Sequence, residues 1–313
     1  MIQRWKIPPM IKGLLTWIPP LNTWRVRHVS TGGTDSPRYC YAVWLRHLVL
    51  LEQHGFRMQQ AQIGELGPGD SLGVGLAALL CGADRYVGLD VMPFSARADL
   101  EKIFDELVQL YCRKEPIPDH HEFPAMRPRL ASYEFPHSPI DRTDFPDRIK
   151  RIRRELRAGV NKGHMLHYRA PWTSIHDIAT DSLDLIFSHS VLQYVKALEE
   201  TYEAIFTWLK PGGYASHSIG FHAHYLAPFW NGHWAYTDWE WQLVRGRREF
   251  FLNRKPLSTH IRCAKEVGFE VLLLRREDSS GGLGVNALAK QFQTLDAEDI
   301  RTRGAMLILR RPR

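Results

Sequence analysis

Gln62-Ile63-Gly64-Glu65-Leu66-Gly67-Pro68-Gly69-Asp70-Ser71, continued by Leu72 to Leu80 and by Tyr86-Val87-Gly88-Leu89-Asp90, is the stretch on which the fold turns. Residues 62–66 read as a short apolar strand and 67–71 as a turn. Leu72 to Leu80 reads as a helix stopped at Gly82, and 86–90 as a second strand. Strand, glycine turn, helix and strand within about 30 residues make one βαβ unit. Two glycines at the end of the first strand leave room for a ligand against the backbone. Asp90 ends the second strand about 20 residues on, where a carboxylate accepts hydrogen bonds from ribose hydroxyls. A strict G-x-G-x-x-G requires glycine at position 72, where Leu72 stands, and this weakens a dinucleotide reading.

Outward from that unit the alternation continues. Residues 39–54 read as a helix before the first strand, and 95–112 as a helix after the second. A proline-dense stretch follows, and residues 113–165 are expected to form an inserted cap whose second half is a basic helix. Strands are expected at 164–168, 183–188, 214–219, 270–274 and 305–310. Helices are expected at 196–209 and 258–267, with Lys210-Pro211-Gly212-Gly213 as a tight turn. Residues 220–257, rich in His and Trp, form a second expected insertion. The fold class is therefore α/β, a Rossmann-like doubly wound sheet with insertions over its carboxyl edge, where ligands bind. The chain divides into an N-terminal arm and lid helix, 1–57, and one domain, 58–313. Gly32-Gly33-Thr34, just before the first helix, is a candidate lid over the ligand.

The chain has 313 residues and a formal net charge of +7. The basic residues are dispersed, which argues against a nucleic-acid groove. Their densest cluster, Lys150, Arg151, Arg153, Arg154 and Arg157, reads first as a solvated helix face. The four cysteines, Cys40, Cys81, Cys112 and Cys263, lack metal or redox spacing and fit a reducing cytosol. No apolar run reaches the roughly 20 residues that a bilayer span needs. Met1 to Asn22 lacks the pattern of a signal peptide and is expected to pack on the domain as an arm. The other reading of that arm is an amphipathic foot on the inner membrane surface. The expected location is the cytoplasm, with peripheral membrane contact left open. The oligomeric state is not legible.

Glu65 discriminates between cofactors. An acid just before the glycine turn repels a pyrophosphate but suits an ammonium and a sulfonium. Glu65-Leu66-Gly67-Pro68-Gly69, Gly88-Leu89-Asp90, Asp184-Leu185-Ile186-Phe187-Ser188-His189-Ser190-Val191-Leu192 and Leu209-Lys210-Pro211-Gly212-Gly213 occur in order. Together they resemble the class I S-adenosylmethionine-dependent methyltransferases over about residues 60–275. The resemblance implies a seven-stranded sheet with one antiparallel strand near its edge, and S-adenosyl-L-methionine across the ends of strands one, two and four. It places Glu65, Gly67, Pro68 and Gly69 along the methionine part, Asp90 on the ribose, and Val91 and Met92 beside adenine. Ala170, Pro171 and Trp172 match the segment that covers adenine, with Trp172 available for stacking. Ser188 and His189 fall near the reactive methyl. The family's third loop glycine is Ser71 here.

Transfer to a hydroxyl needs a base, and histidine suits that role near neutral pH. His189, His217, His222 and His224 fall at expected carboxyl ends of strands, with His217 and His189 ranked first. No carboxylate lies among residues 214–229, so no metal is expected there. Ser216-His217-Ser218-Ile219-Gly220-Phe221-His222-Ala223-His224 resembles a narrower group of bacterial methyltransferases of surface-polysaccharide synthesis. Gly220 and Ala223 stand where that group has acids. Arg38, Tyr39, Trp239, Asn253 and Arg254 also match it, as do Trp44-Leu45-Arg46-His47-Leu48 and Trp241. They imply a sugar-bearing acceptor, with aromatic faces for the ring and Asn and Arg for hydroxyls or an acidic sugar. Two other functions remain open from sequence: an NAD(P)-dependent oxidoreductase or epimerase, and a non-catalytic subunit that retains the fold.

Overall fold

The computed structural model describes residues 3–19, 32–136 and 144–313. Parts of the expected arm and first insertion, residues 1–2, 20–31 and 137–143, lie outside the described residues. Seven strands form one sheet: β1 Gln62–Leu66, β2 Arg85–Leu89, β3 Leu166–Arg169, β4 Leu183–His189, β5 Leu209–Gly220, β6 Glu270–Asp278 and β7 Thr302–Arg310. Their spatial order is β3-β2-β1-β4-β5-β7-β6. β1 to β5 are parallel, and β7 runs antiparallel between β5 and β6. The chain leaves β1 towards β2 on one side and returns to β4 on the other. The switch point, where such sheets bind ligands, therefore lies between β1 and β4.

Helices cover both faces. On one side lie α2 Pro37–Gln53, α3 Gly73–Leu80, α4 Leu100–Cys112 and α5 Phe145–Ala158. Ser36 caps the start of α2 through the N–H of Tyr39, and Pro37 occupies its first turn. α3 is apolar on every side, and all eight of its residues are buried. On the other side lie α6 Leu198–Trp208 and α8 Leu257–Glu266. Strand alternation feeds both cores. Leu185 and Phe187 join Trp44, Leu76 and Phe104, whereas Ile186 joins Trp208, Leu307 and Leu309. Burying a single large apolar side chain of this kind contributes about 1.5–3 kcal/mol.

The expected cap over 113–165 is integrated into the first helical layer. Arg46 of α2 is buried and donates to Pro118 O (2.6 Å) and Pro128 O (3.2 Å), tying down the proline-dense stretch. Within α5, Phe145, Arg148 and Ile152 are buried, and Arg148 donates to Ala83 O (2.9 Å) just past α3. α5 therefore belongs to the framework. Four of its basic side chains have acidic partners: Arg148 and Arg151 with Asp144, Lys150 with Asp147 and Arg153 with Asp105. The N-terminal arm includes α1 Ile7–Leu14, which packs on α7 Asp238–Arg245 of the second insertion. Lys6 donates to Glu240 (2.8 Å) and to Ala235 O (2.6 Å) inside a small aromatic core of Tyr236, Trp241, Trp5 and Phe251. Among the described residues no helix is long and apolar enough to cross a membrane.

Candidate active site

The carboxyl ends of β1, β2 and β4 come into register, with Leu66 beside Leu89 and Ser188. Gly67 and Gly69 adopt φ of +68° and +75°, a left-handed backbone that favours glycine. A Cβ on Gly67 would lie 2.6 Å from Val191 Cγ2, so the turn presses on the chain leaving β4. Asp90 is buried at the end of β2. Its carboxylate accepts the N–H of Val91 (2.7 Å) and of Gly69 (3.3 Å), which holds the turn against β2. Burial raises its pKa to about 6. Glu65 is also buried, and Tyr86 Oη donates to it at 2.5 Å. Burial, with Asp90 adding to it, raises the Glu65 pKa to about 8. No basic partner is found for either carboxyl among the described residues. Two adjacent acids held out of water without a cation are costly, and they fit a cationic ligand with a polyhydroxylated part.

Thr34 lies on this turn. Its hydroxyl donates to Pro68 O (2.9 Å) and accepts the N–H of Ser71 (3.1 Å), and Ser71 Oγ donates to Thr34 O. The segment before α2 thus closes over the glycine turn. On the adenine side, the Trp172 N–H donates to Asp90 O (2.9 Å), and its ring meets Trp208 edge-on at 5.5 Å. Val91 is exposed, and Met92 O accepts from Tyr168 Oη (2.9 Å). Pro171 is exposed beside Trp172.

By their contacts, the four histidines named from sequence fall into three groups. His189, at the end of β4, faces α2: its Nδ1 lies 3.3 Å from His47 Nε2, and Tyr39 meets its ring edge-on. His47 Nδ1 in turn pairs with Ser216 Oγ at 2.8 Å. Burial, then the Arg46 charge, lowers the His189 pKa to about 4, and burial lowers that of His47 well below its ordinary value. Both rings are therefore neutral near pH 7.

His217, expected at the cleft, is sealed within the fold. One residue beyond Ser216 on β5, it points to the opposite face, where Tyr202 and His260 surround it. Its Nδ1 pairs with Ser188 Oγ at 2.8 Å, its Nε2 finds no partner among the described residues, and burial lowers its pKa to about 3. Ser188 shares this buried position. The rings of His222 and His224 lie 4.0 Å apart beyond β5, inclined at 44°, and Tyr194 Oη pairs with His224 Nε2 (3.0 Å). They line a cavity of about 210 Å³ with Phe229, Trp230 and Arg303. Trp230 also borders a cavity of about 490 Å³ with Asn231, Asp278, Ser279 and Ser280.

The remaining residues expected to bind acceptor are dispersed. Arg38 forms a two-pronged ion pair with Glu122 (2.8 and 2.9 Å), while Tyr39 sits beside His189. Asn253 Nδ2 donates to Leu192 O and Val195 O, both at 2.8 Å, which fixes the chain after β4. Arg254 is held between Trp241 and Phe292 and bonds Tyr236 O and Asp238, a structural position. Trp239 is exposed on α7. Among the described residues Asp119, His120 and His121 offer ligand atoms close together, but the Asp119 carboxylate already accepts the N–H groups of His121 and Glu122.

Sequence reasoning missed a role for His47 and Tyr86, whereas Thr34 falls in the segment it named as a candidate lid. A signal for His47 existed. It stands next to Arg46 inside an otherwise apolar helix, and a polar residue there must be satisfied by a partner across the interface.

Strand order and the antiparallel β7 define the class I methyltransferase fold, the fold of S-adenosylmethionine-dependent methyltransferases. A family model described as a methyltransferase domain matches residues 144–216, from α5 into β5. The match includes His189 and begins after the glycine turn. Similar solved structures include an S-adenosylmethionine-dependent methyltransferase from Mesorhizobium loti, 15% identical over 84% of this chain and 96% of that one, with TM-score 0.42. Another is phosphoethanolamine N-methyltransferase 2 from Haemonchus contortus, solved with S-adenosyl-L-methionine. It is 14% identical over 86% of this chain and 53% of that one, with TM-score 0.45. No curated protein matches the chain.

Proposed function

We propose that this chain is a methyltransferase that uses S-adenosyl-L-methionine to methylate a hydroxyl of a glycan, glycolipid precursor or other small acceptor. The observation that carries the reading is the pair of buried carboxyls, Glu65 and Asp90, flanking the left-handed glycine turn with no basic partner among the described residues. Glu65 would hold the ammonium end, Gly67 and Gly69 would admit the chain beside it, and Asp90 would take the ribose. Bound there, the cofactor supplies a methyl carbon activated by sulfonium.

The protein then has to position the acceptor and take its proton. His189 is the candidate for the second task. With Nδ1–H donating to His47 Nε2, and His47 Nδ1–H donating to Ser216 Oγ, His189 Nε2 is left as the free base. It would accept the hydroxyl proton as the oxygen displaces the sulfur from the methyl carbon, the C–S electron pair leaving with the thioether product. Tyr39 flanks the ring from α2. The two cavities that Trp230 lines, with aromatic surface, hydroxyls, a carboxylate and the exposed Arg303, are the surfaces we assign to a sugar-like acceptor. The all-parallel dinucleotide sheet has no counterpart of the antiparallel β7, which disfavours the oxidoreductase reading.

The test supplies methyl-labelled cofactor and an extract of cell-surface glycans and glycolipids. Label is expected in an alkali-stable O-methyl sugar, and it should be lost with His189→Ala. Label recovered only in protein or nucleic acid would overturn the acceptor class. Absence of any transfer, with wild-type cofactor binding intact, would favour a non-catalytic subunit.

A further inference from the structure

We propose that the outer face of α1 and the turn after it docks this protein on an anionic lipid bilayer. Ile7, Ile11, Leu14, Leu15, Trp17 and Ile18 are each between 44% and 55% exposed. Their spacing puts them along one side of the helix, so they form a continuous apolar stripe. The helix cannot roll to hide it. On the opposite side Pro9, Gly13 and Thr16 are buried, and a Cβ on Gly13 would lie 1.9 Å from Leu243 O of α7. Thr16 Oγ1 accepts the N–H of Arg247 (2.7 Å), and Lys6 is anchored on Glu240. The apolar face is thus held outward by a rigid attachment.

Charge identifies the partner. Within residues 3–19, Arg4 and Lys12 are exposed, Lys6 is taken up by Glu240, and there is no Asp or Glu. Arg247 stacks over Trp17 at 4.7 Å, and residues 245–249 add Arg245 and Arg248 against the single acid Glu249. An apolar stripe with tryptophan, rimmed by arginine and lysine, has the chemistry of a helix lying in a headgroup layer of negative lipid. At eight residues α1 is far too short to span, so it lies on the surface. A second copy of the chain fits worse, because a two-fold contact through this patch sets like charges against each other. The inference is independent of the methyl-transfer reading.

The experiment is co-sedimentation of the full chain with vesicles of phosphatidylcholine, alone or mixed with phosphatidylglycerol. The expected result is binding to the mixed vesicles that weakens with salt and is about tenfold poorer to the neutral ones. Ile11→Ser with Leu15→Ser should abolish binding, and Lys12→Glu should weaken it, with melting temperature unchanged because these side chains are exposed. Absence of vesicle binding, or binding indifferent to these changes, would overturn the proposal. So would concentration-dependent dimerisation that the double variant removes, because it would make the stripe a protein interface.

Discussion

His189 and Glu65 carry the chemistry at the residue scale, and both depend on being out of water. A histidine held neutral by burial and a nearby arginine is a weaker base than a free one, yet it is fully available at neutral pH. With cofactor saturating, the acid limb of kcat/KM for the acceptor is therefore expected at about 4, not near the roughly 6.5 of an unperturbed imidazole. His189→Ala should lower kcat by about a hundredfold or more while cofactor binding persists. His47→Phe keeps the packing but removes the bond to Nδ1. It should lower kcat by about tenfold with little change in KM, because the ring of His189 loses its tautomer and orientation. Steady-state kinetics across pH reads all three. Glu65 and Asp90 hold protons more tightly folded than unfolded. The ligand-free protein is therefore most stable below their unfolded pKa values, and loses stability as pH rises through about 6 and then about 8. Glu65→Gln should remove the upper part of that loss in thermal melts. A cationic ligand favours the ionised carboxylate, so wild-type cofactor affinity should climb as pH approaches about 8, and the variant should be weaker and flatter.

At the scale of elements, the glycine turn, the end of β2 and the chain leaving β4 form one interlocked corner. Gly67 is its tightest point. Gly67→Ala must both hold a left-handed φ and push on Val191, which should cost about 1–3 kcal/mol and cofactor binding with it. Adding Val191→Ala should recover the steric part and leave the backbone part, and denaturant unfolding of the pair of variants separates the two. The same corner shows what was legible beforehand. Glycine, Asp90 and the apolar runs of β1, β2 and β4 announce themselves through local spacing. The side chain directions at the end of β4 and along β5 do not. They follow from register, and a shift of one residue exchanges the two faces. That is why His217 was expected in the cleft and instead lies against Tyr202 and His260, while its neighbour Ser216 meets His47. The reach of α5 was illegible for a related reason. Its charges suggested an outer cap, whereas Phe145 and Ile152, with the buried Arg148, fix it in the helical layer.

At the scale of the whole molecule, the N-terminal arm and the second insertion stabilise each other through one buried ion pair. The side chains of Lys6 and Glu240 are 9% and 5% exposed. Lys6→Met should cost about 3–5 kcal/mol by leaving Glu240 buried and unpaired, and Lys6→Met with Glu240→Leu should recover much of it. Thermal denaturation of both variants checks this. Pairing across some 230 residues leaves no local trace, so the arm was readable from sequence only as something apolar and basic. The sheet order, by contrast, follows from the alternation of strands and helices, and it places the switch point between β1, which carries Glu65, and β4, which ends at His189. The most direct measurement is calorimetric titration of the wild type and of Asp90→Ala with S-adenosylhomocysteine. Saturable binding at one site per chain, weakened at least about tenfold in the variant, is predicted; no binding by the wild type, or equal binding by both, would contradict it.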